Sequence, residues 1–179
     1  RWRATLTGMD IERDDLTIRP ATAADAPAIA RIHVASWREA YAGIVPTAYL
    51  EGLDVAAREQ WWVELLDRPA GRTLVSVLDQ RTVGFAHLGP ASDEDAEPGD
   101  LQLYSIYLDP ETWGRGVARD LLRALLDGVP ADSAVTLWVL ADNERARRFY
   151  KRHGFEPDGV EKIEEIGGAP LTEVRYRRR

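Results

Sequence analysis

The stretch best equipped for chemistry is Tyr107-Leu-Asp-Pro-Glu-Thr-Trp-Gly-Arg-Gly-Val-Ala-Arg-Asp-Leu-Leu122. It opens as the end of a strand and closes as the first turns of an amphipathic helix. Between the two, Gly114 and Gly116 flank Arg115. Glycine accepts positive φ and lets a ligand come close to the backbone. Backbone N–H groups gathered at a helix N-terminus make an anion site, helped by the helix dipole. Arg115 and Arg119 add guanidinium groups suited to phosphate oxygens. Taken alone, the loop reads either as a phosphate cradle or as a simple tight turn. It is not a P-loop, because no Gly-Lys-Ser/Thr occurs in the chain. Nor is it a dinucleotide fingerprint, because Arg119 stands where G-x-G-x-x-G needs its last glycine.

A second constellation is Leu137-Trp-Val-Leu-Ala-Asp-Asn-Glu-Arg-Ala-Arg-Arg-Phe-Tyr-Lys-Arg-His-Gly-Phe155. Asn143 suits a helix N-cap. Ala146, Phe149 and Tyr150 fall on one helical stripe, which core packing alone would explain.

The elements that position these residues follow from periodicity and punctuation. A short strand, 16–19, is closed by Pro20, and a helix starts within 22–27, where Thr22 and Asp25 have capping-box spacing. Its apolar positions Ile29, Ile32, Trp37 and Tyr41 continue until Gly43 and Pro46 break it. A second helix is expected over 54–66, and a hairpin over 72–78 and 82–88. Strand 101–108, amphipathic helix 117–127, strand 134–140 and helix 143–153 come next, and strands 155–166 and 171–177 close the chain. Strand 134–140 is almost continuously apolar, which predicts a central strand covered on both faces. The order β-α-α-β-β-β-α-β-α-β-β predicts a single-domain α/β fold, a mixed sheet with helices on both faces.

Composition narrows the function classes. The chain has 179 residues, one domain's worth, and 45% of them are apolar, enough to fill a core. No apolar run approaches the ~20 residues of a membrane span. The absence of cysteine excludes a thiolate nucleophile, and the three separate histidines make a metal site unexpected. A net charge of −7 argues against bulk attraction to nucleic acid. All basic residues but Lys151 and Lys162 are arginine, a bias that suggests a high-GC bacterial source. The first residues lack a leader pattern, so a cytoplasmic protein is expected. The one methionine is Met9, so 1–8 reads as an upstream extension; residues 1–15 are expected to stand outside the domain, which spans 16–179. The acidic loop 92–100 is expected to be a solvated connection, or a lip that draws in a cationic substrate.

Placed on two successive strand–helix crossovers, the two constellations together resemble the GNAT superfamily of acyl-coenzyme A N-acyltransferases. The resemblance covers most of the chain from Leu16 onward and implies the mostly antiparallel sheet of that family. The family's Q/R-x-x-G-x-G/A loop corresponds to the segment around Trp113-Gly-Arg-Gly-Val-Ala118, with Trp113 where Gln or Arg is common. Its Asn-x-x-Ala-x-x-Phe-Tyr-x-x-x-Gly-Phe corresponds without a gap to Asn143, Ala146, Phe149, Tyr150, Gly154 and Phe155.

The resemblance implies acetyl-CoA as acyl donor, no metal, and direct transfer to an amine in a ternary complex. The acceptor would be a small-molecule amine or a protein N-terminus, and the protein a monomer or homodimer. Gly114, Arg115, Gly116, Val117, Ala118 and Arg119 would hold the pyrophosphate. Ile106, Tyr107 and Leu108 would offer backbone amides to the pantetheine arm and the thioester carbonyl, and Asn143 would bind the arm or nearby backbone. Tyr150 would be the general acid at the departing sulfur. Arg145, Arg147, Arg148 and Arg152 crowd one helix, where one or two would meet phosphates and the others face water. The base stays open among Asp100, His33, His87 and a water relay, because Gln102 occupies a position where many relatives carry a carboxylate. That same glutamine keeps alive a non-catalytic acyl-CoA-binding regulatory module as the alternative. Trp37 and Tyr41, on one face with His33, are either core or one wall of an acceptor pocket.

Overall fold

In the computed structural model, which describes residues 15–179, seven strands form one sheet in the order β1-β2-β3-β4-β5-β7-β6. The strands are β1 (Leu16–Pro20), β2 (Arg72–Leu78), β3 (Arg81–Pro90), β4 (Leu101–Leu108), β5 (Val135–Leu140), β6 (Glu156–Ile166) and β7 (Ala169–Arg178). The helices are α1 (Ala26–Ala40), α2 (Thr47–Glu51), α3 (Val55–Leu66), α4 (Val117–Leu126) and α5 (Glu144–Arg152). Only the β4–β5 pair is parallel. The proposed extension 1–15 lies, apart from Asp15, outside the described residues. No helix among them is long and apolar enough to cross a membrane.

Strand alternation sorts the core into layers. Leu74 of β2 faces Leu121, Leu122 and Leu125 of α4, whereas neighbouring Val75 faces Ile29 and Ile32 of α1 and Trp62 of α3. Helices therefore cover both faces, as the pattern predicted. Two local features depart from the expectation. The β2–β3 turn is Asp79-Gln80, both at positive φ, so β3 starts one residue early at Arg81. α1 ends at Ala40 with Tyr41 as its C-cap, and Pro46 caps the start of another helix, the five-residue α2, which is too short to show a period. Its Leu50 packs with Val45 and Leu140 in a third cluster.

Two irregularities in β4 prepare the site. Its register with β3 shifts between His87 and Leu88, leaving Tyr104 as an extra residue that bends the strand. Its pairing with β5 is confined to Leu101–Val135 and Gln102–Thr136, after which the strands part.

The acidic loop 92–100 is a largely exposed connection, as one of the two expectations had it, but it is tethered rather than free. Asp95 makes two bonds of 2.6 Å to Arg175, a β7 residue only 3% exposed, and Asp93 and Asp158 complete the cluster. The loop spans the β4–β5 seam and ties the two halves of the sheet together. Part of its charge, that of Asp93 and Asp95, is paired with Arg175, while Glu94 and Glu97 stay exposed.

Candidate active site

Where β4 and β5 separate, a cleft of about 180 Å³ opens between them. Ser36 and Tyr41 line it from the α1 side, Asn143 and Tyr150 from the α5 side, and Tyr107 and Trp138 from the strands. The passage thus joins the two faces of the sheet.

Backbone direction divides the expected amide trio. Asp109 donates to the Val83 carbonyl at 2.7 Å, and the register makes Tyr107–Phe85 the next hydrogen-bonded pair. Tyr107 therefore turns its amide to β3, whereas Ile106 and Leu108 turn theirs to the open edge. The contribution of Tyr107 to the cleft is its side chain, so the backbone role expected of it is corrected here.

Beyond β4, Gly114 and Gly116 take φ of 79° and 82°, and Gly116 caps α4 in the left-handed region. A Cβ on Gly114 would meet nothing within 4 Å, so the loop is open on its outer side. Gly114, Arg115, Gly116 and Arg119 line a broad groove, Val117 anchors the helix start in the core, and Ala118 reaches the cleft. This is a left-handed glycine cradle at a helix N-terminus beside arginines, and it fits a pyrophosphate. Trp113, the departure from the common Gln or Arg, donates from its indole to the Leu108 carbonyl at 3.2 Å. Arg145 lies 3.9 Å above its ring and lines the cleft. Among the crowded arginines, Arg145 alone reaches the cleft wall. Arg147 holds Tyr176 and the Ala141 carbonyl, and Arg148 pairs with Glu144.

Asn143 caps α5 by accepting from the Ala146 amide at 3.2 Å, and its side chain also borders the cleft. Two turns on, Tyr150 projects into the same space. Burial raises its pKa far above the ordinary tyrosine range, and nearby Tyr107 adds to the shift. The phenol therefore stays protonated, as a proton donor must.

None of the three ionisable candidates for the base lines the cleft. Asp100 accepts from the Ala134 and Glu97 amides, which hold its carboxyl below the usual range. His33 sits among Trp37, Trp62, Phe85 and Tyr107, and its Nδ1 accepts from the Trp62 indole at 3.2 Å. Burial, with some help from Arg58, lowers its pKa to about 3. His87 shares its Nδ1 with the Thr73 hydroxyl, and burial lowers its pKa too. Gln102 is buried, with its Oε1 unpartnered. His33 does share its face with Trp37 and Tyr41, whose rings meet at 4.9 Å. Among the side chains that line the cleft, the sequence singled out neither Trp138 nor the ring of Tyr107, since an aromatic inside an apolar strand gives no sign of which neighbour has moved away.

The model of the Acetyltransferase (GNAT) family matches residues 29–155. The chain belongs to this family. It is 34% identical over 163 residues to the uncharacterized N-acetyltransferase YuaI of Bacillus subtilis, covering 89% of this chain and 90% of that one. It is 28% identical to the L-amino acid N-acetyltransferase AaaT of Escherichia coli, over 92% of this chain and 98% of the relative. The structure of the PaiA N-acetyltransferase of Thermoplasma acidophilum, a coenzyme A complex, superposes with a TM-score of 0.69. That match has 20% identity and covers 92% of this chain and 98% of the other. This GNAT protein is thus an N-acyltransferase that uses acetyl-CoA as its cosubstrate.

Proposed function

We propose that this GNAT enzyme passes the acetyl group of acetyl-CoA directly to a primary amine, with both substrates bound together. The acceptor is a small-molecule amine or a protein N-terminus. The observation that carries this reading is the cleft through the β4–β5 seam, which gives donor and acceptor opposite faces of one sheet. The relative AaaT, an L-amino acid N-acetyltransferase, acts on an acceptor of this kind.

Acetyl-CoA supplies an activated acyl carbon and a thiolate leaving group. The loop Gly114–Arg119 and Arg145 bind the phosphates. Asn143 and the outward amides of Ile106 and Leu108 position the pantetheine arm. Those amides also face the carbonyl oxygen as charge gathers on it, and such a donor is commonly worth about 3 kcal/mol of barrier. The amine nitrogen forms its bond to the carbonyl carbon as the carbon–sulfur bond breaks. Tyr150 gives its proton to the sulfur, the nitrogen's surplus proton passes to solvent water on the acceptor side, and Tyr150 regains a proton from solvent as the thiol leaves. With no cysteine in the chain, an acyl-cysteine route has no nucleophile.

The test is release of coenzyme A thiol against polyamines, aminoglycosides, amino acids and short peptides with free N-termini. Turnover on one class names the acceptor. No turnover across the panel, with acetyl-CoA bound, would count against the amine reading.

A further inference from the structure

On the α1 side of the sheet, strand alternation sets Glu173, Arg175 and Arg177 on one face of β7. The two arginines are satisfied by Asp93, Asp95, Asp100 and Asp158. Glu173 is different. Its ion-pair partner is Lys162, its register neighbour on β6, at 3.3 Å. The carboxylate side chain is 18% exposed, against 43% for Lys162.

Glu173 is also paired across the strands with Leu140, whose cluster includes Trp37 and Tyr41. The hydroxyls of Tyr41 and Tyr107 both feel its charge. Trp37 Nε1, beside them, is buried and makes no well-formed hydrogen bond. Tyr41 lines the α1 mouth of the cleft, and next to it the fold gathers a carboxylate, the Trp37–Tyr41 aromatic corner and the Trp37 N–H.

Resting on the amine-transfer reading above, we propose that Glu173 holds the ammonium of the acceptor at this mouth, with Trp37 and Tyr41 as its aromatic wall. Lys162 occupies the carboxylate in the resting protein. A pair with so exposed a lysine is weak and exchangeable. When displaced, Lys162 retains a support, because its ammonium already lies 4.5 Å from the centre of the Trp138 ring. An incoming ammonium can replace it at the carboxylate, and a neutral isostere cannot. Aromatic faces add to the preference for a cation. The acidic group that selects the substrate is then one glutamate on β7, not the loop 92–100.

The test uses the full chain saturated with coenzyme A, titrated by calorimetry with phenethylamine and with its neutral counterpart 2-phenylethanol. The wild type is expected to prefer the ammonium about tenfold or more, as for a charge-assisted hydrogen bond. Glu173→Gln should abolish that preference and leave 2-phenylethanol binding unchanged. Lys162→Met should strengthen phenethylamine binding alone, and gives a second readout should the glutamine variant fold poorly. Equal affinities in the wild type, or a preference that survives Glu173→Gln, would overturn the proposal. None of these readouts requires turnover, so they stand apart from the thiol-release assay that tests the transfer itself.

Discussion

The guanidinium of Arg145 lies over Trp113, 3.9 Å from the ring centre, and the Trp113 indole is itself tied to the Leu108 carbonyl. One ring thus fixes a cation at the cleft and the end of the strand that borders it. Arg145→Lys keeps the charge but loses the planar stack. We expect a several-fold weaker acetyl-CoA Kd for Arg145→Lys and a larger loss for Trp113→Ala, measured by calorimetry. Equal affinities in all three proteins would make the stack irrelevant to the cosubstrate.

Tyr150→Phe should lower kcat by about 10²–10⁴-fold, the usual contribution of a positioned acid, with little change in acetyl-CoA affinity. The hydroxyl is held protonated by burial, so the wild-type rate should show no Tyr150 titration at or below pH 10. Parallel loss of kcat and affinity would make Tyr150 a binding residue.

The two glycines of the cradle should differ in their sensitivity. A side chain at Gly114 meets open space, whereas one at Gly116 lies 3.4 Å from the Arg119 guanidinium. Both positions carry the backbone cost of left-handed φ, about 1–2 kcal/mol. Thermal melts of Gly114→Ala and Gly116→Ala should therefore shift alike. Gly116→Val should weaken coenzyme A binding much further than Gly114→Val, and the reverse order would misplace the cradle.

His33 predicts a pH-dependent stability. Its folded pKa of about 3 lies below the unfolded value of 6.5, so only the unfolded chain takes up the proton between them. The contribution is complete above pH 6.5 and declines as pH falls through that window, at up to about 1.4 kcal/mol per unit. Urea unfolding at pH 7.5 and 5.5 should show this slope, and His33→Asn should flatten it. A slope unchanged in the variant would place the titration elsewhere.

Arg175→Met should cost about 3–5 kcal/mol, because it leaves Asp93 and Asp158 facing a neutral partner at a buried position. Chemical denaturation measures the loss. A near-neutral outcome would mean that the carboxylates find water.

The order of elements was legible because long periodic segments such as α4 and the apolar β5 announce their partners. Gly114, Gly116, Asn143 and Tyr150 could be placed from spacing because each sits at a fixed offset from a helix start. Glu173 could not. In Leu171-Thr-Glu-Val-Arg-Tyr-Arg177 it reads as one more solvent-side charge, and only the sheet order, which inserts β7 between β5 and β6, brings it beside α1. The tether of loop 92–100 was hidden for the same reason, because the arginine that holds Asp95 lies some 80 residues away. Loss of Tyr107's amide to β3 depends on a hydrogen-bond parity that alternates along the strand and leaves no compositional trace.

Parting β4 from β5 gives this sheet a free edge in its interior. Unpaired strand edges are ordinarily hazards, because another chain can add to them. Here the backbone at Ile106 and Leu108 faces a cleft lined from both α1 and α5, not open solvent. The pantetheine arm has amide groups of its own. In the proposed function it completes the row as a surrogate strand, so the edge hazard and the cosubstrate site are one and the same feature of the sheet.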